Sequence, residues 1–241
     1  MKHLITILFL LLYSTCFSQY FQDNRIEDES RIAPWIAGNI EEYEGVYFFG
    51  ISEYETKAIL SIDSGLVNFQ ISNAGNEIYI NGQFAGWEQN IENYTNVRID
   101  GNKFYSNQTY GEFVTYNING KEVKCLKLNS PPKDVYDGDF ELGTFSSKNK
   151  TNYVSGIHPN TKFDVSSLTE LRKYGLDELR VMRNEIFARY GYIFTEGGQM
   201  GEYFKNQTWY APRVNNISEL VTEIEKKNIQ NIRLIEKEKS L

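Results

Sequence analysis

The sequence predicts an α+β protein, in which an antiparallel β-sandwich or small barrel precedes a small all-α domain. Short runs rich in Tyr, Phe, Ile and Val, broken by Gly and Asn, fill residues 45–128. From residue 166 onward, apolar residues recur at helical spacing. Charge divides the chain in the same way, because residues 164–241 carry 12 acids and 12 bases while the whole chain has a net charge of −7. We therefore expect two regions of different character.

A secretory signal peptide is predicted over residues 1–18. Lys2 precedes an uncharged apolar run from Leu4 to Leu12, and small residues follow it, which is the order of a cleavable export signal. The run is shorter than the roughly 20 apolar residues that a spanning helix needs. We expect cleavage after Ser18, and we favour it over lipid attachment at Cys16 because the preceding residues fit a lipoprotein box poorly.

Loss of residues 1–18, which contain Lys2 and no acid, changes the net charge from −7 to −8. Such an acidic chain is not expected to bind nucleic acid or an anionic lipid surface. Only Cys125 would remain, so no internal disulfide is expected. The exported chain must therefore be stabilised by packing alone.

The β-region is predicted over residues 43–146, after a polar N-terminal arm at 19–42. Four hairpin turns are indicated by residues that tolerate positive φ; they are Asp63-Ser64-Gly65, Asn81-Gly82, Asp100-Gly101 and Asn119-Gly120. Residues 113–118 and 121–126 alternate apolar and polar side chains, which predicts one buried and one solvated face. Sequence alone leaves the sandwich and the barrel open.

A linker is expected at residues 147–165, after a breaker at Ser130-Pro131-Pro132, and a helical domain at 166–241. Within that domain, Ser167 and Glu170 indicate a capping box, and Gly191 fits the end of a helix that begins at Leu176. A short helix is predicted at 202–205. A long final helix is predicted to start at Ser218 and to run to about Lys237.

An arginine lies on the apolar face of the helix that begins at Leu176. At 100° per residue, Arg183 falls among Leu179, Met182, Ile186 and Tyr190. A guanidinium there needs hydrogen-bond partners, since burying it without them costs several kcal/mol. An internal clamp on the following loop or the last helix is favoured over a site for an acidic ligand. Glu185 and Arg189, one turn apart, are expected to form a surface pair.

The same helix carries a family resemblance. Arg183-Asn184-Glu185-Ile186-Phe187-Ala188-Arg189-Tyr190-Gly191, followed by Tyr203-Phe204 and Trp209-Tyr210, resembles the bacterial YARHG domain. The name motif Tyr-Ala-Arg-His-Gly reads Phe187-Ala188-Arg189-Tyr190-Gly191 here, so the titrating His is replaced. The resemblance implies a small helical extracytoplasmic domain of unknown molecular function.

Candidate binding residues, for which a structural role is favoured, are Arg183, Asn184, Glu185, Arg189, Tyr190, Trp209 and Tyr210. Catalytic residues are not predicted. His158 is the one histidine outside the signal peptide, which argues against a multi-histidine zinc site or a Ser-His-Asp triad. The acidic stretch from Asp134 to Glu141 is interpreted as a plain turn rather than a calcium loop. No metal and no cofactor are expected.

The sequence therefore favours an exported, non-catalytic binding module of the bacterial cell envelope, periplasmic, surface-located or secreted. Its partner would be another envelope component, either protein or glycan. Two alternatives remain: a carboxylate-dependent glycan hydrolase, and a carrier of a small apolar ligand inside the β-region.

Overall fold

The computed structural model describes residues 29–49, 56–80, 83–118, 120–129, 140–146 and 149–241. Several predictions fall on other parts of the chain and lie outside the described residues. These are the signal peptide, the start of the arm, the Asn81-Gly82 turn, the Ser130-Pro131-Pro132 breaker and most of the acidic stretch.

Among the described residues, ten antiparallel strands form one continuous sheet that curls into a half-barrel. The strands are β1 Ile32–Pro34, β2 Gly45–Phe49, β3 Thr56–Asp63, β4 Leu66–Ile80, β5 Gln83–Tyr94, β6 Arg98–Asp100, β7 Lys103–Tyr105, β8 Tyr110–Ile118, β9 Lys121–Asn129 and β10 Phe140–Phe145. Their order is β5-β4-β3-β2-β10-β9-β8-β7-β6, and β1 pairs with β8. The predicted antiparallel β-region followed by helices is confirmed, and the strands belong to a single curled sheet.

Positive backbone φ angles occur at the predicted hairpin turns. Ser64 (φ 52°) and Gly65 (φ 77°) join β3 to β4, and Gly120 (φ 83°) precedes β9. In the β6–β7 hairpin, Asp100 pairs with Lys103. The two-residue turn is thus Gly101-Asn102, one position later than the dipeptide predicted from the sequence.

An aromatic core fills one face of the sheet. Tyr43 and Phe113 stack with ring centroids 3.9 Å apart, and the Tyr43 hydroxyl donates to the Trp35 carbonyl at 2.9 Å. The largest fully buried side chains of this core are Tyr43, Tyr47, Phe49, Leu60, Phe69, Phe104, Phe113, Leu126 and Leu128. The prediction that β8 has one solvated face was wrong for the middle of the strand. Val114, Thr115 and Tyr116 are all buried there, and β1 pairs with these three residues.

Residues 149–241, all of which are described, contain four α-helices: α1 Leu168–Leu171, α2 Leu176–Arg189, α3 Gln199–Phe204 and α4 Glu223–Lys239. Gly191 has φ 72°, as predicted for the residue that ends α2. None of the described helices has the combination of length and apolar character that crossing a membrane requires.

The predicted start of the last helix was wrong. Thr222, not Ser218, is its N-cap, and it forms a reciprocal capping box with Glu225. Ser218 instead donates its backbone N–H to the side chain of Asn216 within a turn. The sequence Thr222-Glu223-Ile224-Glu225 itself has the capping-box pattern, so this boundary was readable in advance.

The segment predicted as a linker joins the helices to the sheet. It contains two short 3-10 helices, Lys150–Tyr153 and Pro159–Lys162. Phe163 is fully buried with Val46 and Ile59, which lie on the sheet face opposite the aromatic core. We call this face of β2–β5 the outer face.

Candidate functional site

A cleft opens where the helices meet the outer face of the sheet. Side chains alternate between the two faces of a strand, and Lys57 and Ile59 of β3 pair with Ser72 and Gln70 of β4. These four residues therefore present their side chains to the helical region. The cleft has a volume of about 220 Å³ and is lined by Lys57, Ile59, Gln70, Ser72, Ile91, Tyr153, Val154, Ser155, Lys162, Arg189, Tyr190, Trp209, Arg213 and Glu225.

A buried polar network lies at the floor of the cleft. The Lys162 ammonium donates to the Tyr190 hydroxyl at 2.6 Å, to Gln70 Oε1 at 2.7 Å and to Glu225 Oε2 at 3.2 Å. The Tyr190 hydroxyl also donates to Glu225 Oε2. All three partners of Lys162 are less than 10% exposed, so β4, a 3-10 helix, the residue after α2 and helix α4 share a buried hydrogen-bond network.

Burial controls the proton affinities in this network. It lowers the pKa of Lys162, and the nearby Glu225 carboxylate opposes that shift. It raises the pKa of the Tyr190 hydroxyl well above its ordinary value, and Glu225 adds to that effect. The phenol therefore stays protonated at neutral pH and acts as a hydrogen-bond donor.

Glu185 and Arg189 form a second buried network beside the cleft. The expectation of a surface pair was wrong, since their side chains are 2% and 7% exposed and their closest N–O distance is 2.5 Å. The Glu185 carboxylate accepts the backbone N–H groups of Ile157 (2.8 Å) and His158 (2.9 Å).

The Arg189 guanidinium binds the same 155–161 loop from its other side. It donates to the carbonyls of Ser155 at 2.8 Å and His158 at 2.7 Å, and to Thr161 Oγ1 at 2.9 Å. Gly156, with φ 106°, lies so close to Glu185 that a Cβ would overlap the carboxylate. The pair thus clamps a loop of its own chain.

Arg183 and Asn184 also bond within the helical region. Arg183 Nε lies 2.9 Å from Glu236 of α4, where both side chains are largely buried. Asn184 donates to the carbonyl of Arg180 one turn earlier at 2.7 Å. Both therefore act within the helical packing, outside the cleft.

The two aromatic candidates have different positions. The Tyr210 hydroxyl donates to the Tyr192 carbonyl at 2.6 Å, and its ring packs beside Phe204 and Phe194. Trp209 is half-buried and lines the cleft. The structure thus brings Arg189, Tyr190 and Trp209 together at one cleft and places Arg183, Asn184 and Tyr210 elsewhere.

Sequence reasoning missed Lys57, Gln70, Lys162 and Glu225. Contacts between β4 and residues 162–225 connect positions about 90–150 residues apart, and no local pattern encodes them. One weak signal was present: strand alternation in Lys57-Ala58-Ile59-Leu60 puts Lys57 on the face of Ile59, which is a face that becomes covered.

Two buried polar atoms near these networks have no hydrogen-bond partner among the described residues, Glu225 Oε1 and His158 Nε2. Burial lowers the pKa of His158, although Glu185 opposes the shift, so its imidazole is mainly neutral at neutral pH. In the same parts of the chain, no three His, Cys, Asp or Glu side chains gather closely enough to hold a metal ion.

A family model described as the YARHG domain matches residues 160–237. The C-terminal third of the chain is a YARHG domain. This confirms the resemblance inferred from the residue order. No curated protein and no solved structure matches the chain.

The contacts of the motif residues show what each of them does in this chain. Glu185 and Arg189 of the YARHG domain hold the 155–161 loop, and Gly191 supplies the left-handed residue after α2. Tyr190, at the position of the histidine in the name motif, reaches the cleft floor and bonds Lys162. Glu185 and Arg189 of α2, and Tyr190 directly after it, thus place their polar groups in hydrogen bonds with other parts of the chain.

Proposed function

We propose that this protein is an exported, non-catalytic binding module of the bacterial envelope whose ligand occupies the cleft between the sheet and the YARHG domain. One observation carries the proposal. Lys57, Lys162, Arg189 and Arg213 line this cleft, whereas Glu225 is the one carboxylic acid among its described lining residues. In a chain with a net charge of −7, this concentration of cations favours a specific anionic partner.

The use of the motif residues supports a scaffold role for the YARHG domain. The side chains of Glu185, Arg189 and Tyr190 all form hydrogen bonds with other residues of the chain. Most buried charges in proteins are paired for structural reasons. YARHG domains occur in extracellular and periplasmic proteins, which agrees with the export signal predicted at residues 1–18.

The two alternatives have less support. A glycan hydrolase of the usual kind needs two facing carboxyl groups, and the described lining of the cleft contributes Glu225 alone. A carrier of an apolar ligand needs a hollow β-region, whereas Phe69, Phe104 and Phe113 pack against one another on the inner face, the side of the sheet that holds the aromatic core. Binding without chemistry therefore remains the best-supported function.

The test is co-sedimentation of purified residues 19–241 with peptidoglycan, envelope polysaccharide and immobilised envelope proteins. Trp209→Ala removes a half-buried aromatic of the cleft, and Tyr110→Ala removes a 58% exposed aromatic from β8. We expect one fraction to retain wild type and Tyr110→Ala equally and Trp209→Ala at least tenfold less. Equal retention of all three would exclude the cleft, and retention by no fraction would reject envelope binding.

A further inference from the structure

The four cations of the cleft are not equivalent. The Lys162 ammonium already donates to three acceptors, which is its full capacity. Arg189 donates to three loop oxygens and to Glu185. Arg213 has an interaction of its own within the chain. These side chains set the local potential, but each of them already has a partner within the chain.

Lys57 differs from the other three, because no hydrogen bond or ion pair joins its ammonium to any residue in the described part of the chain. Its side chain is half-buried on the outer face, and burial lowers its pKa. The charge of Lys57 also contributes to the lowered pKa of Lys162, so the two ammonium groups repel each other. An anion bound at Lys57 would relieve both the unpaired charge and the repulsion.

A second unfilled group lies in the same cleft. Glu225 is fully buried, its Oε2 accepts several hydrogen bonds, and its Oε1 accepts none from the described residues. A buried carboxylate oxygen without a donor costs free energy. A ligand that brings an O–H or N–H group to Glu225 would therefore gain from this site as well as from Lys57.

The third property of the cleft is its aromatic wall. Trp209 and Tyr153 both line it and are half-buried. Flat aromatic side chains pack well against the apolar face of a ring, and the polar ring substituents then remain free for hydrogen bonds. The volume of about 220 Å³ is below the range of about 300–1,000 Å³ for drug-sized ligands. One ring with its substituents fits that size.

We propose that the cleft binds an acidic monosaccharide unit, a pyranose ring that bears a carboxylate or phosphate group. The anionic group binds the Lys57 ammonium, a ring hydroxyl donates to Glu225 Oε1, and the ring face packs against Trp209. This assignment rests on the proposed function, because it names the chemical class that the envelope-binding cleft recognises.

The test uses three probes with the same ring: glucose, glucuronate and glucose 6-phosphate, titrated into residues 19–241 and followed by NMR chemical shifts or calorimetry. We expect at least one of the two anionic sugars to bind at least tenfold more tightly than glucose. Preference for glucuronate identifies a carboxylate as the natural anion, and preference for the phosphate identifies a phosphosugar. Equal affinity for all three, or no binding of either anion, would overturn the assignment.

Lys57→Met removes the charge and keeps an unbranched apolar side chain. We expect it to weaken binding of the preferred anionic sugar at least tenfold while the melting temperature stays at or above that of wild type, because an unpaired, half-buried charge has been removed. Lys57→Arg should recover part of the affinity. The control is Lys227→Met, on an exposed position of α4, which should bind as wild type does.

Full affinity in Lys57→Met would reject the role of Lys57. If the anionic sugars do not bind but co-sedimentation still depends on Trp209, the ligand class is wrong and the envelope-binding function stands. If co-sedimentation also fails, both proposals fall. The two failures are therefore distinguishable.

Discussion

The sheet and the YARHG domain are stabilised by different means. The inner face of the sheet is an almost purely apolar core in which aromatic rings meet one another, as Tyr43 meets Phe113. The YARHG domain buries apolar side chains too, but it also buries charged and amide groups. Those that are less than 10% exposed are Lys162, Asn184, Glu185, Glu225, Asn228 and Asn231.

This difference shows which interactions fix the geometry of each region. Apolar packing is non-directional, so the sheet tolerates adjustment as long as its volume is filled. Buried hydrogen-bonded charges require fixed geometry, and loss of one partner leaves another charge stranded. The fold of the YARHG domain is thus tied to particular pairs of residues, among them Glu185 and Arg189 of the quoted motif.

The strongest test of the comparison removes one member of the motif pair. Arg189→Met leaves the Glu185 charge buried without its cation and removes three bonds to the 155–161 loop, so we expect a loss of about 3–5 kcal/mol in the free energy of unfolding. Urea denaturation measures it. Arg180→Met, which breaks an exposed pair with Asp177 on the same helix, should cost less than about 1 kcal/mol. Equal losses would show that the motif pair behaves like a surface pair.

The sheet counterpart is Phe113→Ala. The ring is fully buried and contacts Tyr43, Trp35 and Phe104, so its removal should cost about 3–5 kcal/mol through the cavity it leaves. This loss comes from apolar packing and should not change with ionic strength. Tyr110→Ala, exposed on the same strand, serves as the control and should stay within about 0.5 kcal/mol of wild type. A strong salt dependence of the Phe113→Ala loss would contradict the contrast between the regions.

A smaller effect is expected from Gly156→Ala. The new methyl group would overlap the Glu185 carboxylate, and φ at this position is +106°, so the loop must move away from its clamp at a cost of about 1–3 kcal/mol. Gly120→Ala has φ +83° but open space around the new Cβ, and therefore reports backbone strain alone. Thermal unfolding of both variants separates the two effects. If Gly120→Ala is as unstable as Gly156→Ala, the clamp adds nothing.

The smallest effect concerns alkaline pH. Burial raises the pKa of the Cys125 thiol from 9.0 to about 12. Between these values the unfolded chain loses the thiol proton first, so stability is full below pH 9 and falls as pH rises towards 12. From pH 9 to pH 10, wild type should lose about 1 kcal/mol more than Cys125→Ala. Parallel stability curves for the two proteins would show that the thiol ionises freely in the fold.

The local elements of the fold were predictable from sequence. The helix from Leu176, its end at Gly191 and the hairpin at Ser64-Gly65 all follow from the conformational preferences of neighbouring residues. Arg183 was correctly expected to need a partner, because its position on an apolar face is a property of one helix.

The cleft was not predictable, because every pair that builds it is distant in the chain. The residues next to Lys57 in the sequence do not indicate that its ammonium lacks a hydrogen-bond partner. Lys162 lay in a segment that was predicted to be a linker. The surface assignment of Glu185 and Arg189 failed for the same reason, since the 155–161 loop that covers them lies about 30 residues earlier. Two local signals were overlooked: the capping-box pattern of Thr222 and Glu225, and the strand alternation that places Lys57 on the same face as Ile59.

The sheet also holds the start of α4 by three amide side chains. Asn68 accepts the Glu223 N–H at 3.1 Å, Gln70 donates to the Leu220 carbonyl at 2.8 Å, and Asn93 donates to the Glu219 carbonyl at 2.9 Å. All three lie outside the segment 160–237 that the YARHG model matches. Grafting that segment onto a foreign protein would leave these backbone groups to be satisfied by the new neighbour or by water. The segment that is recognisable by its sequence therefore does not include all the residues that satisfy its backbone hydrogen bonds.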